Sequence, residues 1–138
     1  MKRGRSLNFI AQPIDILPTL CELAGASVDP KQEFQGRSFA NALLNGESIH
    51  REYAVCGSHI RANGVPRKAV TPLLVTDHWG YAPIGANGKP ELFDLAEDFL
   101  GQNDISEGNV AIMKELHELF NKYLRAHGAS DTVLSLWR

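Results

Sequence analysis

Asn109-Val-Ala-Ile-Met-Lys-Glu-Leu-His-Glu-Leu-Phe-Asn-Lys-Tyr-Leu-Arg-Ala-His-Gly128 is the stretch on which the fold turns. Ile112, Leu116, Leu119, Phe120, Tyr123 and Leu124 recur at the spacing that gathers them on one stripe of a helix. Lys114 and Glu118, and Glu118 and Lys122, stand four apart on the wet side. Gly128 supplies the stop. A helix with one apolar stripe needs a second layer to cover it, and the residues upstream read as that layer.

Moving outward, Trp79 to Pro83 and Glu91 to Leu95 read as neighbouring strands turned at Asn87-Gly88. Ala69 to Thr76 is a further extended run. Pro72 inside it cannot donate a ladder hydrogen bond, which predicts an edge position or a break. Arg61 to Arg67 reads as a turn around Asn63-Gly64, and Glu52 to Cys56 as a strand ending before Gly57 and Ser58. Ser38 is a cap for a short helix carrying Phe39, Ala42, Leu43 and Leu44 and ending at Gly46. Asp15 can accept the free amides of another helix start, Pro18 sits in its first turn, and Gly25 ends it. Leu17, Leu20, Cys21 and Ala24 share one face of that helix and need a partner. Residues 1 to 13 suggest an arm or a short edge strand. The sum is an α+β fold: a small antiparallel sheet of three or four strands packed against a long carboxy-terminal helix, preceded by two short helices.

At 138 residues and 43% hydrophobic, the chain can bury one core. Lys plus Arg is 14 against 16 for Asp plus Glu, a balance that leaves no footprint for nucleic acid or an anionic membrane. Lys2, Arg3 and Arg5 crowd the start. Glu91, Asp94, Glu97, Asp98, Asp104 and Glu107 form an acidic run with no base inside it, read as a solvated rim because the ligand alternation and central glycine of a calcium loop are missing. Cys21 and Cys56 allow one disulfide at most and read as buried free thiols. The basic start lacks the apolar stretch and cleavage site of a signal peptide, and no segment is long enough to cross a bilayer, although a longer parent could carry a signal upstream.

Five histidines invite a search for a metal or a base. His59 and His78, with Asp77 beside the second, could meet across two strands. Zinc needs three close ligands, however, and neither tight spacing nor an HExxH helix is present, so surface histidines are the simpler account. There is no GxSxG elbow, and Cys21 lies on an apolar helix face where a thiolate is disfavoured. Gly85 to Gly88 lacks the Lys-Ser/Thr ending of a phosphate loop. Trp79 and Tyr81 share a face of a strand, either as core packing or as an aromatic wall toward a substrate.

Asp15-Ile-Leu-Pro-Thr-Leu-Cys-Glu-Leu-Ala-Gly25 resembles the D-x-x-P-T-L-x-x-L-A-G segment found late in sulfatases of the alkaline-phosphatase-like superfamily. Gly36-Arg37-Ser38-Phe39 with Leu43-Leu44-Asn45-Gly46 is similar to that family's G-x-S-L and L-L-x-G stretch, and Glu91-Leu92-Phe93-Asp94-Leu95-Ala96-Glu97-Asp98 to its E-L-Y-D-L-x-x-D. Phe99 replaces a usual proline, and Gln102-Asn103-Asp104-Ile105 a usual E-x-x-N-L.

Beyond the arm read over 1–13, the resemblance implies a helical segment over 14–46 like the end of the sulfatase large domain and a carboxy-terminal small domain over 47–138. It also implies where the chemistry is absent. The family's nucleophile lies in a C-x-P-x-R segment converted to formylglycine, and its divalent metal, usually calcium, is held by paired aspartates, all ahead of the position of Asp15. Cys21 precedes Glu22-Leu23-Ala24-Gly25 and Cys56 precedes Gly57-Ser58-His59-Ile60, so neither is that nucleophile, and no residue here is expected to be catalytic or to bind metal. Arg67, Lys68, His78 and Trp79 are expected at the rim of a substrate cleft. The expected partner is the missing large sulfatase domain, or a self-association partner that covers Leu17, Leu20 and Phe39. A different hydrolase built on His59, Asp77 and His78 is the third reading.

Overall fold

Residues 4, 6–26, 34–47, 51–59, 70–85 and 88–135 are described by a computed structural model. They form α1 (Ile16–Leu23), α2 (Ala40–Asn45), β1 (Ala54–His59), β2 (Val70–Val75), β3 (Trp79–Ala82), β4 (Glu91–Asp94), α3 (Val110–Ala126) and α4 (Asp131–Leu134), with a 3-10 turn at Pro13–Asp15 ahead of α1. The chain divides into two compact units, Met1–Ala54 and Val55–Arg138.

In the second unit the strands lie in the order β1-β2-β3-β4 in one antiparallel sheet. Leu74 of β2 stands opposite Tyr81 of β3, which stands opposite Leu92 of β4. Directly paired residues point to the same side of a sheet, so these three make one row across three strands. Leu74 and Leu92 are 0% exposed and Tyr81 is 2% exposed. α3 packs on β3 and brings Leu116 and Phe120, one helical turn apart, into the same core. The Tyr81 hydroxyl is 3.0 Å from Nδ1 of His117, with the two rings edge-on at 6.1 Å. A polar tip that must enter an apolar layer thereby keeps a partner.

The outer edge of β4 is closed by its own downstream loop: the Ile105 amide donates to the Leu92 carbonyl, and the Leu92 amide donates to Asp104 Oδ1. Beyond α3, Gly128 takes the left-handed conformation that stops the helix. α4 follows with Ser130 Oγ accepting from the Val133 amide and Leu134 buried, an element the sequence reading did not anticipate.

Several expectations need correction. β1 runs through Gly57 and Ser58 to His59 rather than ending before them. Pro72 is buried inside β2, which has a strand on each side. It lies beyond the Leu74–Tyr81 pair, where β3 does not demand a donor of it. Residues 6–12 hold no strand. Neither cysteine is fully buried: Cys21 is half-buried, and Cys56 is exposed on β1, an edge strand. The turn at Asn63-Gly64 and residue Asn87 lie outside the described residues, while Gly88 beside it has the left-handed φ of 73°.

In the first unit Gly25 and Gly46 end α1 and α2 in the left-handed region. Gly36 has a different reason to be glycine, since a Cβ there would overlap the carbonyl oxygen of Ile14. Phe9 and Phe39 pack with ring centres 5.6 Å apart. α1 contacts α2, yet the buried residues of these two helices and of the turn before α1 are small or polar: Ala40, Ala42, Pro18, Thr19 and Asp15. The face of α1 expected to be covered is open, with Leu17 58% and Leu20 57% exposed.

Phe120 is 1% exposed and fills the space between α3 and the sheet. Phe120→Ala is expected to lower the stability of the second unit by about 3–5 kcal/mol through lost transfer energy and a cavity. Urea unfolding followed by circular dichroism measures it.

Candidate functional site

Asp15 opens the motif on which the family resemblance rests, and its carboxylate does not cap α1 as expected. Oδ2 accepts from the Gln12 amide at 2.7 Å and from Arg51 Nη1 at 2.6 Å. Oδ1 accepts from the Arg37 amide at 2.8 Å and from Arg51 Nη2 at 2.8 Å. The pair is buried, with 3% of the Asp15 side chain and 9% of the Arg51 side chain exposed. Burial acts to raise the Asp15 pKa. The hydrogen bonds from Arg51 and from the Arg37 and Gln12 amides, with the attraction of the Arg51 charge, outweigh it and hold the carboxyl below its ordinary value. Thr19 extends the network, donating from Oγ1 to the Asp15 carbonyl at 2.6 Å and accepting from the Phe39 amide at 3.0 Å. Arg51 was not singled out from sequence, because nothing local links it to a carboxylate thirty-six positions earlier.

At one end of the sheet the β2–β3 turn gathers His78 and Trp79. Thr76 Oγ1 accepts from the Trp79 amide at 2.8 Å and the His78 amide at 3.2 Å, which fixes the turn. The His78 ring lies 4.2 Å from that of Trp79, and its Nε2 is 3.3 Å from Asp94 Oδ1. His78 therefore faces Asp94 at the end of β4. The side chain of His59 and residues Arg67 and Lys68 lie outside the described residues. Among the rim candidates, the structure brings together His78 and Trp79. Tyr81, on the same strand face as Trp79, belongs to the core, where burial pushes its hydroxyl pKa up.

The three aspartates of the acidic run are turn caps. Asp94 Oδ1 accepts from the amides of Ala96 and Glu97. Asp98 Oδ2 accepts from those of Gln102 and Asn103, each at 2.7 Å. The Asn103 amide leads in holding the Asp98 carboxyl below its ordinary pKa. At Asp104 slight burial works upward, and the Leu92 and Ser106 amides with the Ser106 hydroxyl outweigh it. Among the described residues no group of three or more His, Cys, Asp or Glu side chains could hold a metal ion, and no helix is long and apolar enough to cross a membrane.

No family model matches the sequence, and no curated protein matches it. Solved structures do. A 2-O GAG sulfatase superposes with a TM-score of 0.63 at 26% identity, covering 81% of this chain and 24% of its own. A protein solved in complex with its substrate D-glucosamine-2-N,6-O-disulfate gives a TM-score of 0.62 at 19% identity, with 85% and 24% covered. The phosphonate monoester hydrolase of Agrobacterium radiobacter gives 0.60 at 23% identity, with 82% and 24% covered.

This chain has the fold of the carboxy-terminal portion of a sulfatase. It spans about a quarter of the length of the solved chains it matches. In this sulfatase-like chain the three motifs are structural: Asp15 and Thr19 tie the first, Gly36 admits the Ile14 backbone in the second, and Leu92 and Asp94 anchor the third. What stands open is an apolar surface on the first unit, where Ile14, Ile16, Leu17, Leu20, Leu23 and Leu44 are 40% to 58% exposed.

The depressed Asp15 pKa makes stability depend on pH in a definite direction. The unfolded carboxyl titrates near 3.9, so the stabilisation from the Arg51 pair is fully present above about pH 4 and is lost as pH falls through the lower folded value. Asp15→Asn replaces an acceptor of four hydrogen bonds by an amide that must face two donors, and leaves Arg51 buried without a counter-charge. It is expected to cost about 3–5 kcal/mol at pH 7. The gap to the parent should narrow toward pH 2 in denaturant titrations at a series of pH values.

Proposed function

We propose that this chain is the carboxy-terminal part of a sulfuric ester hydrolase and turns over no sulfate ester by itself. The likeness to sulfatase structures over four-fifths of its length, against a quarter of theirs, is what carries the reading. The residues present do not fit the family's cofactor and metal. No C-x-P-x-R segment occurs in the sequence, Cys21 and Cys56 stand in other contexts, Asp15 is committed to Arg51 and to backbone amides, and Asp94, Asp98 and Asp104 are committed to backbone amides. Without an activated attacking oxygen and an ion to hold developing charge, there is no route to sulfur–oxygen cleavage. In this reading the large domain supplies formylglycine and a divalent metal. The same reading assigns His78 and Trp79 to the mouth of its substrate cleft, where an imidazole and an aromatic face suit a sulfated ligand, and proposes Arg67 and Lys68 as the cations that would join them. The residues from 14 to 46 belong with the large domain and those from 47 to 138 form the small one.

A second reading has an observation of its own. The open face of α1, with Leu17 and Leu20 each more than half exposed, suits an association module that uses this surface on a partner or on itself.

Purified chain supplied with 4-nitrophenyl sulfate and calcium is expected to release no more 4-nitrophenol than buffer. Metal-dependent release abolished by changing one of the chain's own side chains would overturn the first reading. For the second, Leu17→Ser with Leu20→Ser is expected to reduce any association seen by light scattering through the first unit, and a parent chain that is monomeric at every concentration would count against it.

A further inference from the structure

Asparagine stands directly before glycine at 45–46, 63–64 and 87–88, and the first of these pairs is described in full. In such a pair the glycine amide nitrogen can attack the side-chain carbonyl carbon of the asparagine, because no Cβ on the glycine obstructs the approach. A five-membered succinimide forms, and the side-chain nitrogen leaves as ammonia with the proton of the glycine amide. Water then opens the ring at either carbonyl. One cleavage gives aspartate, and the other gives isoaspartate, in which the backbone runs through the former side chain. Water is the one reagent consumed.

Asn45 is the last residue of α2 and is exposed, and Gly46 is the cap that follows it at a φ of 80°. Two contacts hold the reacting atoms apart. The Gly46 amide donates to the Ala42 carbonyl at 2.9 Å, which ties the attacking nitrogen into the helix. Asn45 Nδ2 donates to Oδ1 of Asn41 one turn earlier, and Asn41 Nδ2 donates in turn to Glu47. That bond draws the Asn45 side chain toward the start of the helix and away from Gly46. Neither restraint is deeply rooted, since α2 has six residues, its buried side chains are Ala40 and Ala42, and Leu44 in the last turn is 51% exposed. A short helix end with so little packed against it opens locally at small cost.

We propose that Asn45-Gly46 is a self-modifying site gated by the last turn of α2. Each opening frees the Gly46 amide and the Asn45 side chain together, and ring closure converts Asn45 to aspartate or isoaspartate. The product does not restore the helix end. Isoaspartate lengthens the backbone by one carbon ahead of Gly46 and takes its amide out of register with the Ala42 carbonyl. Either product places a carboxylate two residues from Glu47, at a helix end where unpaired carbonyls already gather negative charge, and withdraws the donor that Asn41 Oδ1 had. Because α2 packs on α1, the loss falls on the first unit. The site is independent of the sulfatase reading and of any association through the α1 face.

Ageing the full chain in mildly alkaline buffer made with heavy-oxygen water tests it, because each conversion leaves a heavy oxygen at the modified residue. Trypsin then releases Ser38–Arg51, which carries Asn45 and also Asn41, an internal comparison followed by alanine. Mass spectrometry is expected to find the label at Asn45 and not at Asn41, arriving about ten-fold more slowly in the folded chain than in urea-unfolded chain, since both restraints must be broken first. Asn41→Ala, checked for folding by circular dichroism, removes one restraint and is expected to speed the folded-state conversion about two-fold or more. Aged parent should unfold at lower urea than Asn45→Gln aged alongside it, in which the other two Asn-Gly pairs are unchanged. No label at Asn45 in the folded chain once the unfolded chain has converted overturns the proposal. So does a folded-state rate equal to the unfolded one, an unchanged rate in Asn41→Ala, or aged parent and aged Asn45→Gln unfolding alike.

Discussion

One carboxylate organises the first unit. Asp15 takes four hydrogen bonds from Gln12, Arg37 and Arg51, bringing the entry to α1, the approach to α2 and the approach to β1 to one point. Unit 1 needs such a device because its large apolar side chains are largely turned outward, leaving Pro18, Ala40 and Ala42 as the buried apolar residues of its helices. A buried charge pair adds little net stability compared with a well-packed apolar one, yet it is intolerant of rearrangement, since losing either partner strands the other. Thr19 and Gly36 follow from the same requirement. The first bridges Asp15 to Phe39, and the second allows the chain to pass against Ile14.

The second unit is held by the opposite kind of force. Leu74, Tyr81 and Leu92 form a dry row across three short strands, and Phe120 and Leu116 close it from α3. Short strands have little area of their own to bury, so the helix is a condition of the sheet's stability.

The parts legible in the sequence were those specified by local periodicity. The stripe from Ile112 to Leu124 needs only the 3.6-residue repeat, and the β3–β4 pairing needs only alternation and a turn at Gly88. What was hidden depends on distant neighbours. Pro72 is acceptable within β2 because β3 is short, Arg51 matters because Asp15 meets it across the unit, and α1 is open because its apolar face has no cover there. Of the residues proposed for a rim, His78 and Trp79 lie together because they are neighbours in the chain, and the contact of His78 with Asp94 arises from the register of β3 and β4. Function was least legible because solved proteins of different chemistry share this portion of the fold, including a phosphonate monoester hydrolase. A scaffold element common to several reactions does not itself name one.

The acids of the loop between β4 and α3 divide into two populations that composition alone cannot separate. Asp94, Asp98 and Asp104 each hold backbone amides in place, whereas Glu97 and Glu107 are exposed. Anyone re-engineering the electrostatics of this surface therefore has freedom at the glutamates and almost none at the aspartates. The shorter side chain is here a piece of masonry, and its charge is incidental to the wall it sets.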